Sequence, residues 1–146
     1  MDPLSHLIVT RALVGADRMV LVTAVLPDLP FYSTYPLWVA RRGLLPLVLA
    51  SGSWPPPPRW IVLLHRLSHT IPVALVAAWI VSHSTRQSMQ RIFAVWLLHI
   101  LMDIPSHARD PWGPRPLWPF SDFAFDGYGW AEHVSSHLSK ITPRAS

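Results

Sequence analysis

HILMDIPSH, residues 99–107, is the stretch on which the reading of this chain turns. His99, Asp103 and His107 recur at every fourth position in a run otherwise dominated by Ile, Leu and Met. Side chains four apart stack on one face of a helix. Upstream, IFAVWLLHILMDI (92–104) offers no polar face for them to decorate. An imidazole or carboxylate buried without a partner costs several kcal/mol, so this segment reads as an apolar helix whose polar groups bind something. The spacing predicts a helix over Arg86–Ile104, halted at Pro105 because the residue before a proline is pushed out of the helical region. His107 then falls past the helix end, as a ligand from the loop or as an exposed side chain.

Outward from there, three more helical stretches are expected. Leu4–Val25 reads as one long helix or two short ones, with a break at Gly15-Ala16-Asp17 and Asp17 as the cap of the second. Pro36–Ala50 is apolar but broken, since it holds Arg41, Arg42, Gly43 and Pro46. Trp60–Ser82 follows the WPPPP turn at 54–58, whose prolines end whatever precedes them. Beyond the central helix, residues 105–129 are dense in Pro, Gly, Asp and aromatics and read as an ordered loop, closed by a helix-like segment over 130–140. No strand-like alternation and no repeat is present. The expectation is an all-α single domain over 1–146. It comprises a compact, membrane-associated bundle of about four to five helices (4–104), the loop and the C-terminal helix.

Composition points toward a membrane. Charged residues make up 14% of the 146 and hydrophobic ones 51%, with eight tryptophans; ordinary soluble proteins carry about a quarter charged residues. The best candidate span is LSHTIPVALVAAWIVSHST (67–85), 19 residues without formal charge, near the ~20 a crossing helix needs. It is interrupted by His69, Pro72 and His83, so one to four short or broken spans are expected, with a compact, very apolar soluble domain as the alternative. The opening MDPLSHLIVTRALVG does not have the pattern of a secretory signal. No cysteine is present, which excludes disulfides, thiolate metal sites and cysteine nucleophiles. The net charge of +4 comes from scattered arginines. That gives no nucleic-acid footprint but suits anionic lipid headgroups.

The eight histidines equal all the carboxylates in number. His65 and His69 form an i, i+4 pair about 6 Å apart along a helix axis; His99 and Asp103 repeat that spacing. Two such pairs on facing helices can enclose a metal, and imidazole with carboxylate suits zinc, iron, manganese or nickel. Each pair has a plainer alternative: polar-face decoration for the first, a metal-free His–Asp hydrogen bond for the second. His133 and His137 pair likewise in the more polar AEHVSSHLSK, where a solvated face is the plainer reading. His83 reads as exposed. Asp28, between two prolines, is a turn residue or a bridging carboxylate, and His6 is open either way.

Five segments in order carry a family resemblance: His6, Leu26-Pro27-Asp28, HRLSHT (65–70), HILMD (99–103) and LWPF (117–120). Together they resemble the bacterial membrane-bound metal-dependent hydrolases, described as LexA-binding, inner-membrane-associated hydrolases. One departure is Leu67, where that family's segment carries glycine. The family is distantly similar to zinc-dependent phospholipases C and single-strand nucleases, all-α enzymes that bind up to three zinc ions. The resemblance implies that His65 or His69, His99 and Asp103 bind a divalent metal, most simply zinc, with Asp28 bridging, orienting water or acting as base. His6, and with it Asp2, would replace the terminal amine that the phospholipases use as a ligand. His107, His133 or His137 would serve any third ion, and Arg66 would clamp a phosphate oxygen. Trp118 and Phe120 would pack under or rim the pocket. The implied substrate is a phosphoester or lipid-like molecule, the implied partners are membrane lipids, and the implied location is the bacterial inner membrane. Two other classes stay open: a haem bundle with His65 or His69 and His99 as axial ligands, and a non-catalytic membrane scaffold.

Overall fold

Asp2 starts the first helix as its cap. Its carboxylate accepts from the Ser5 N–H at 3.0 Å and from the Ser5 hydroxyl at 2.6 Å, while Pro3 takes the first helical position, where no N–H is needed. The computed structural model describes residues 2–109 and 111–129. Among these there are seven α-helices, one 3-10 turn and no strand. Helix α1 (Pro3–Leu13) and α2 (Arg18–Val25) are separated at Gly15, whose φ of +121° favours a residue without Cβ. As expected, Asp17 caps α2, accepting from the Met19 and Val20 N–H groups. The 3-10 turn Leu26–Asp28 runs into α3 (Leu29–Arg41); α4 (Leu45–Ser51) ends on Gly52 in the left-handed conformation. After the proline run come α5 (Arg59–Ser68), α6 (Ile71–Thr85) and α7 (Met89–Ser106).

Three expectations are corrected here. The segment Pro36–Ala50 is broken, as expected, between α3 and α4; the correction is that α3 starts at Leu29 and runs through Pro36, because burying Tyr35 and Val39 outweighs a proline cost of ~3 kcal/mol. The helix expected over Trp60–Ser82 bends by 67° between Ser68 and Ile71. There the Thr70 hydroxyl accepts from the Val73 N–H and Pro72 sits in the first turn, so a new helix begins. Pro105 does not halt α7, which reaches Ser106 while the His107 N–H still donates to the Asp103 carbonyl at 3.1 Å. These breaks turn four to five helices into seven. Leu67 lies in the last turn of α5 with ordinary backbone geometry, so nothing at that position calls for glycine.

Helix α7 forms the centre, packed along α6 and α2, while α1 lies on α2 and α3 on α5. Three small apolar clusters hold these contacts: Tyr35, Val39, Val48 and Ile61; Val20, Ala24 and Val95; Ala74, Trp96 and Ile100. The loop after α7 folds back on its own helix end. Gly127 donates to the His107 carbonyl at 2.9 Å and Tyr128 to that of Pro105 at 2.7 Å, and Arg115 pairs with Asp122 at 3.2 Å. The C-terminal helix expected over 130–140 lies outside the described residues.

Beside these apolar clusters stand buried polar groups and exposed apolar ones. His6, Asp28, His65, His69, His99 and Asp103 are all buried, whereas Leu75, Val76, Trp79 and Ile80 of α6 are exposed, as are Leu4, Ile8 and Leu13 of α1. A buried polar group or a large exposed apolar patch is the informative departure from the usual pattern. Among the described residues no single helix is long and apolar enough to cross a membrane; the bent pair α5–α6 passes that test by length and composition.

Candidate metal centre

Helix ends build this site. The last carbonyls of a helix have no intrahelical partner, and here histidines use them. Ala24 lies in the last turn of α2, and its carbonyl accepts from His99 Nδ1 at 2.7 Å. His65 begins the last turn of α5, and its carbonyl accepts from His69 Nδ1 at 2.7 Å, with the Ser68 hydroxyl 3.1 Å from the same nitrogen. A carbonyl can only accept, so both rings carry a proton on Nδ1 and turn Nε2 inward, as the nitrogen that a cation or a second proton can occupy.

Those nitrogens meet two carboxylates. His69 Nε2 and His99 Nε2 are 3.1 Å apart, and each is 3.1 Å from Asp103 Oδ2. Asp28 Oδ1 closes the group at 3.5 Å from His69 and 3.7 Å from His99. All four donor atoms lie within 4.8 Å of one another. A tetrahedral cation with ligand bonds of about 2.0–2.1 Å needs donors roughly 3.3 Å apart, and the observed edges bracket that value. Four acceptors facing one point repel unless a cation or protons sit among them. Helix-end carbonyls that fix the ring orientation are the usual outer support of a metal site. Sequence reasoning did not pick out Ser68 or the Ala24 carbonyl; the adjacency of Ser68 to His69 is the one local sign of the first.

His6 lies against this group, stacked on His99 with ring centroids 3.8 Å apart. Its Nε2 stands 3.1 Å from Asp103 Oδ1 and 4.0 Å from Asp28 Oδ2. Asp28 Oδ2 and His6 Nδ1 are buried without a hydrogen-bond partner. His107, expected to fall outside any helical relation, caps α7 with Nδ1 3.4 Å from Asp103 Oδ1. The four-residue spacing of the opening motif therefore holds through its third member.

His65 is adjacent to the four-donor group and not part of it. Its ring lies 4.0 Å from that of His69, its Nε2 is 3.4 Å from the Trp112 carbonyl, and its Nδ1 is buried without a partner. Asp2 is engaged as the α1 cap and does not join the group. Arg66 lies in the last turn of α5 and is half-buried. Phe120 is 86% exposed, whereas Trp112 of the same loop stands edge-on against His65. His83 is exposed, as expected. His133 and His137 lie outside the described residues.

Burial lowers His65, helped by the charges of His69 and His107; burial also lowers His99 and His107, in spite of Asp103. His69 goes the other way. Burial opposes its charge, but hydrogen bonds and attraction from Asp103 and Asp28 outweigh that, and the imidazole is pushed up to about 9. For Asp103, burial is outweighed by hydrogen bonds from His6, His69 and His99, which hold the carboxyl well below the usual range. Burial and the negative charge of Asp28, Asp2 and Asp103 push the Tyr32 phenol up to about 12. Without a cation, the centre is thus a buried negative site that draws protons to itself.

Two imidazoles 3.1 Å apart with carboxylates at the same point leave no slot for a porphyrin between them. The arrangement suits a compact divalent cation. No protein-family model, curated protein or solved structure matches this chain.

Proposed function

We propose that this protein is a membrane-associated, metal-dependent hydrolase that splits a phosphoester or lipid-like substrate with metal-activated water. The observation that carries the reading is the convergence of His69 Nε2, His99 Nε2, Asp103 Oδ2 and Asp28 Oδ1, with both ring tautomers fixed from behind. Zinc is the first candidate on donor chemistry. Such an ion lowers the pKa of bound water from about 15.7 to about 7, so no side-chain nucleophile is needed. Asp28 is the longest-reaching donor and keeps one oxygen without a partner. It is the group that can yield its place to water, or hold that water as a base.

A second ion, if taken up, would be held by His6 Nε2, Asp103 Oδ1 and Asp28 Oδ2, with His107 beside them. The family resemblance of the five motifs agrees with this reading, and the exposed apolar faces of α1 and α6 favour attachment to the bacterial cytoplasmic membrane. A non-catalytic protein with a structural ion is the second reading, favoured by a donor set already complete at four.

Elemental analysis of detergent-purified protein tests the metal, with one or two zinc-class ions per chain expected. Chromogenic phosphomonoester and phosphodiester assays test the chemistry: turnover should vanish with a chelator and return with zinc. Protein that arrives without ions and refuses them overturns both readings. Tightly held metal without turnover leaves the structural one.

A further inference from the structure

Phe31, Tyr35 and Trp112, together with Trp54 and the prolines that follow it, line a groove of about 650 Å³. That is within the ~300–1,000 Å³ of small-ligand sites. Its walls are unusually poor in hydrogen-bonding groups. Proline has no N–H to satisfy, and the Tyr35 hydroxyl already donates to the Pro55 carbonyl, which fixes that wall. Water gains little in such a slot, whereas hydrocarbon gains about 25 cal/mol for each Å² it buries.

The groove adjoins the metal centre through His65. That ring lies 5.2 Å from Trp112 and 6.0 Å from Phe31, both groove residues, and 4.0 Å from His69. Its Nδ1 is buried and without a partner. An apolar slot thus abuts a polar centre, with an unsatisfied polar atom at the joint, and that complements an amphiphile. We propose that the groove takes the hydrocarbon chain of a lipid phosphoester whose head reaches the acid–histidine centre. This rests on the hydrolase reading above and names its substrate class. The Asp28 and Asp103 carboxylates at the centre would repel an anionic head, so the head is held only once a cation is present.

The test is fluorescence quenching of the full-length protein by a bromine-tipped hexyl phosphate, with the matching bromohexanol as the neutral probe. With zinc loaded, the phosphate should quench saturably and bind at least fivefold tighter than the alcohol; without zinc that preference should vanish. Replacing both Trp54 and Trp112 by Phe should at least halve the quenching. Pro56→Phe, which narrows the groove, should weaken binding at least tenfold while retained zinc reports an intact fold. Absence of saturable quenching, or quenching indifferent to Pro56→Phe, overturns the groove; equal binding of phosphate and alcohol to the zinc form overturns the head placement. Failure of the hydrolase reading is separable from these results. Protein that never takes up zinc fails at elemental analysis, whereas a zinc-loaded, active enzyme that ignores both probes defeats the groove alone.

Discussion

His99 donates from Nδ1 to the Ala24 carbonyl 2.7 Å away, and so aims Nε2 at Asp103 one helical turn further along its own helix. One unpaired carbonyl at the end of α2 thereby decides which nitrogen of a residue on α7 is free to bind. Removing the donor should be far worse than loosening its support. Asp103→Ala and His99→Ala should lower zinc affinity by more than 100-fold, against roughly 10–100-fold for Ser68→Ala behind His69. His83→Ala should change nothing. Competition with a zinc-binding dye measures all four, and equal losses would overturn the assignment.

Proton release should accompany metal uptake. His69 carries a proton up to about 9, against its ordinary 6.5. In the metal-free protein that raised value stabilises the fold fully below pH 6.5 and ceases to do so as pH climbs through 9. A cation must displace the same proton, so affinity should climb across that window, by at most about tenfold per pH unit. Calorimetry in buffers of different ionisation enthalpy should read one proton released at neutral pH, and His69→Gln should abolish it. Asp103 works in the opposite sense, since its lowered value stabilises the metal-free fold above pH 3.8 and that contribution is lost in stronger acid.

His6→Ala bears on the number of ions. Its Nε2 faces the outer oxygens of both aspartates and not the four-donor group. The variant should retain one ion where the parent protein holds two, by elemental analysis. Complete loss of metal would instead make His6 part of the primary site.

Gly127 is a place where the loop touches α7 too closely for a side chain. A Cβ there would meet the Ile104 carbonyl oxygen at 2.1 Å and that of His107 at 2.7 Å. Gly127→Ala should displace the loop and break the two backbone hydrogen bonds at its return, at about 1 kcal/mol each. Faster proteolysis within 111–126, with the helices intact by circular dichroism, is the expected result.

The exposed face of α6 supplies the membrane test. Val76 and Ile80 are 59% and 51% exposed and belong to none of the apolar clusters. Changing both to Glu should release the protein from lipid vesicles in flotation without loss of bound zinc. Each buried aliphatic side chain contributes roughly 1.5–3 kcal/mol to such attachment. Unchanged flotation would remove this face from the lipid contact.

The site was more legible in the sequence than the helix boundaries were. His99 and Asp103 stood out because an apolar helix has no reason to carry them, and Asp17 announced its own cap. The prolines misled. Pro36 and Pro105 stop helices by local rule, but both lie in helices held by tertiary burial, of Tyr35 and Val39 in one and of His99, Ile100 and Asp103 in the other. The choice between His65 and His69 could not be made from their spacing. It depends on α5 ending at Ser68, which turns His69 into a cap facing inward and leaves His65 against Trp112. Trp96 adds to that placement by donating to the Ser68 carbonyl at 2.9 Å, a long-range contact with no local signature.

The donors also have an order along the chain. A ribosome delivers His6 first and Asp103 last, so a nascent chain has nowhere to seat an ion until α7 has been synthesised. Any loading of this site would therefore have to follow synthesis of α7, and a product truncated before that helix would lack two of the four candidate donors, His99 and Asp103.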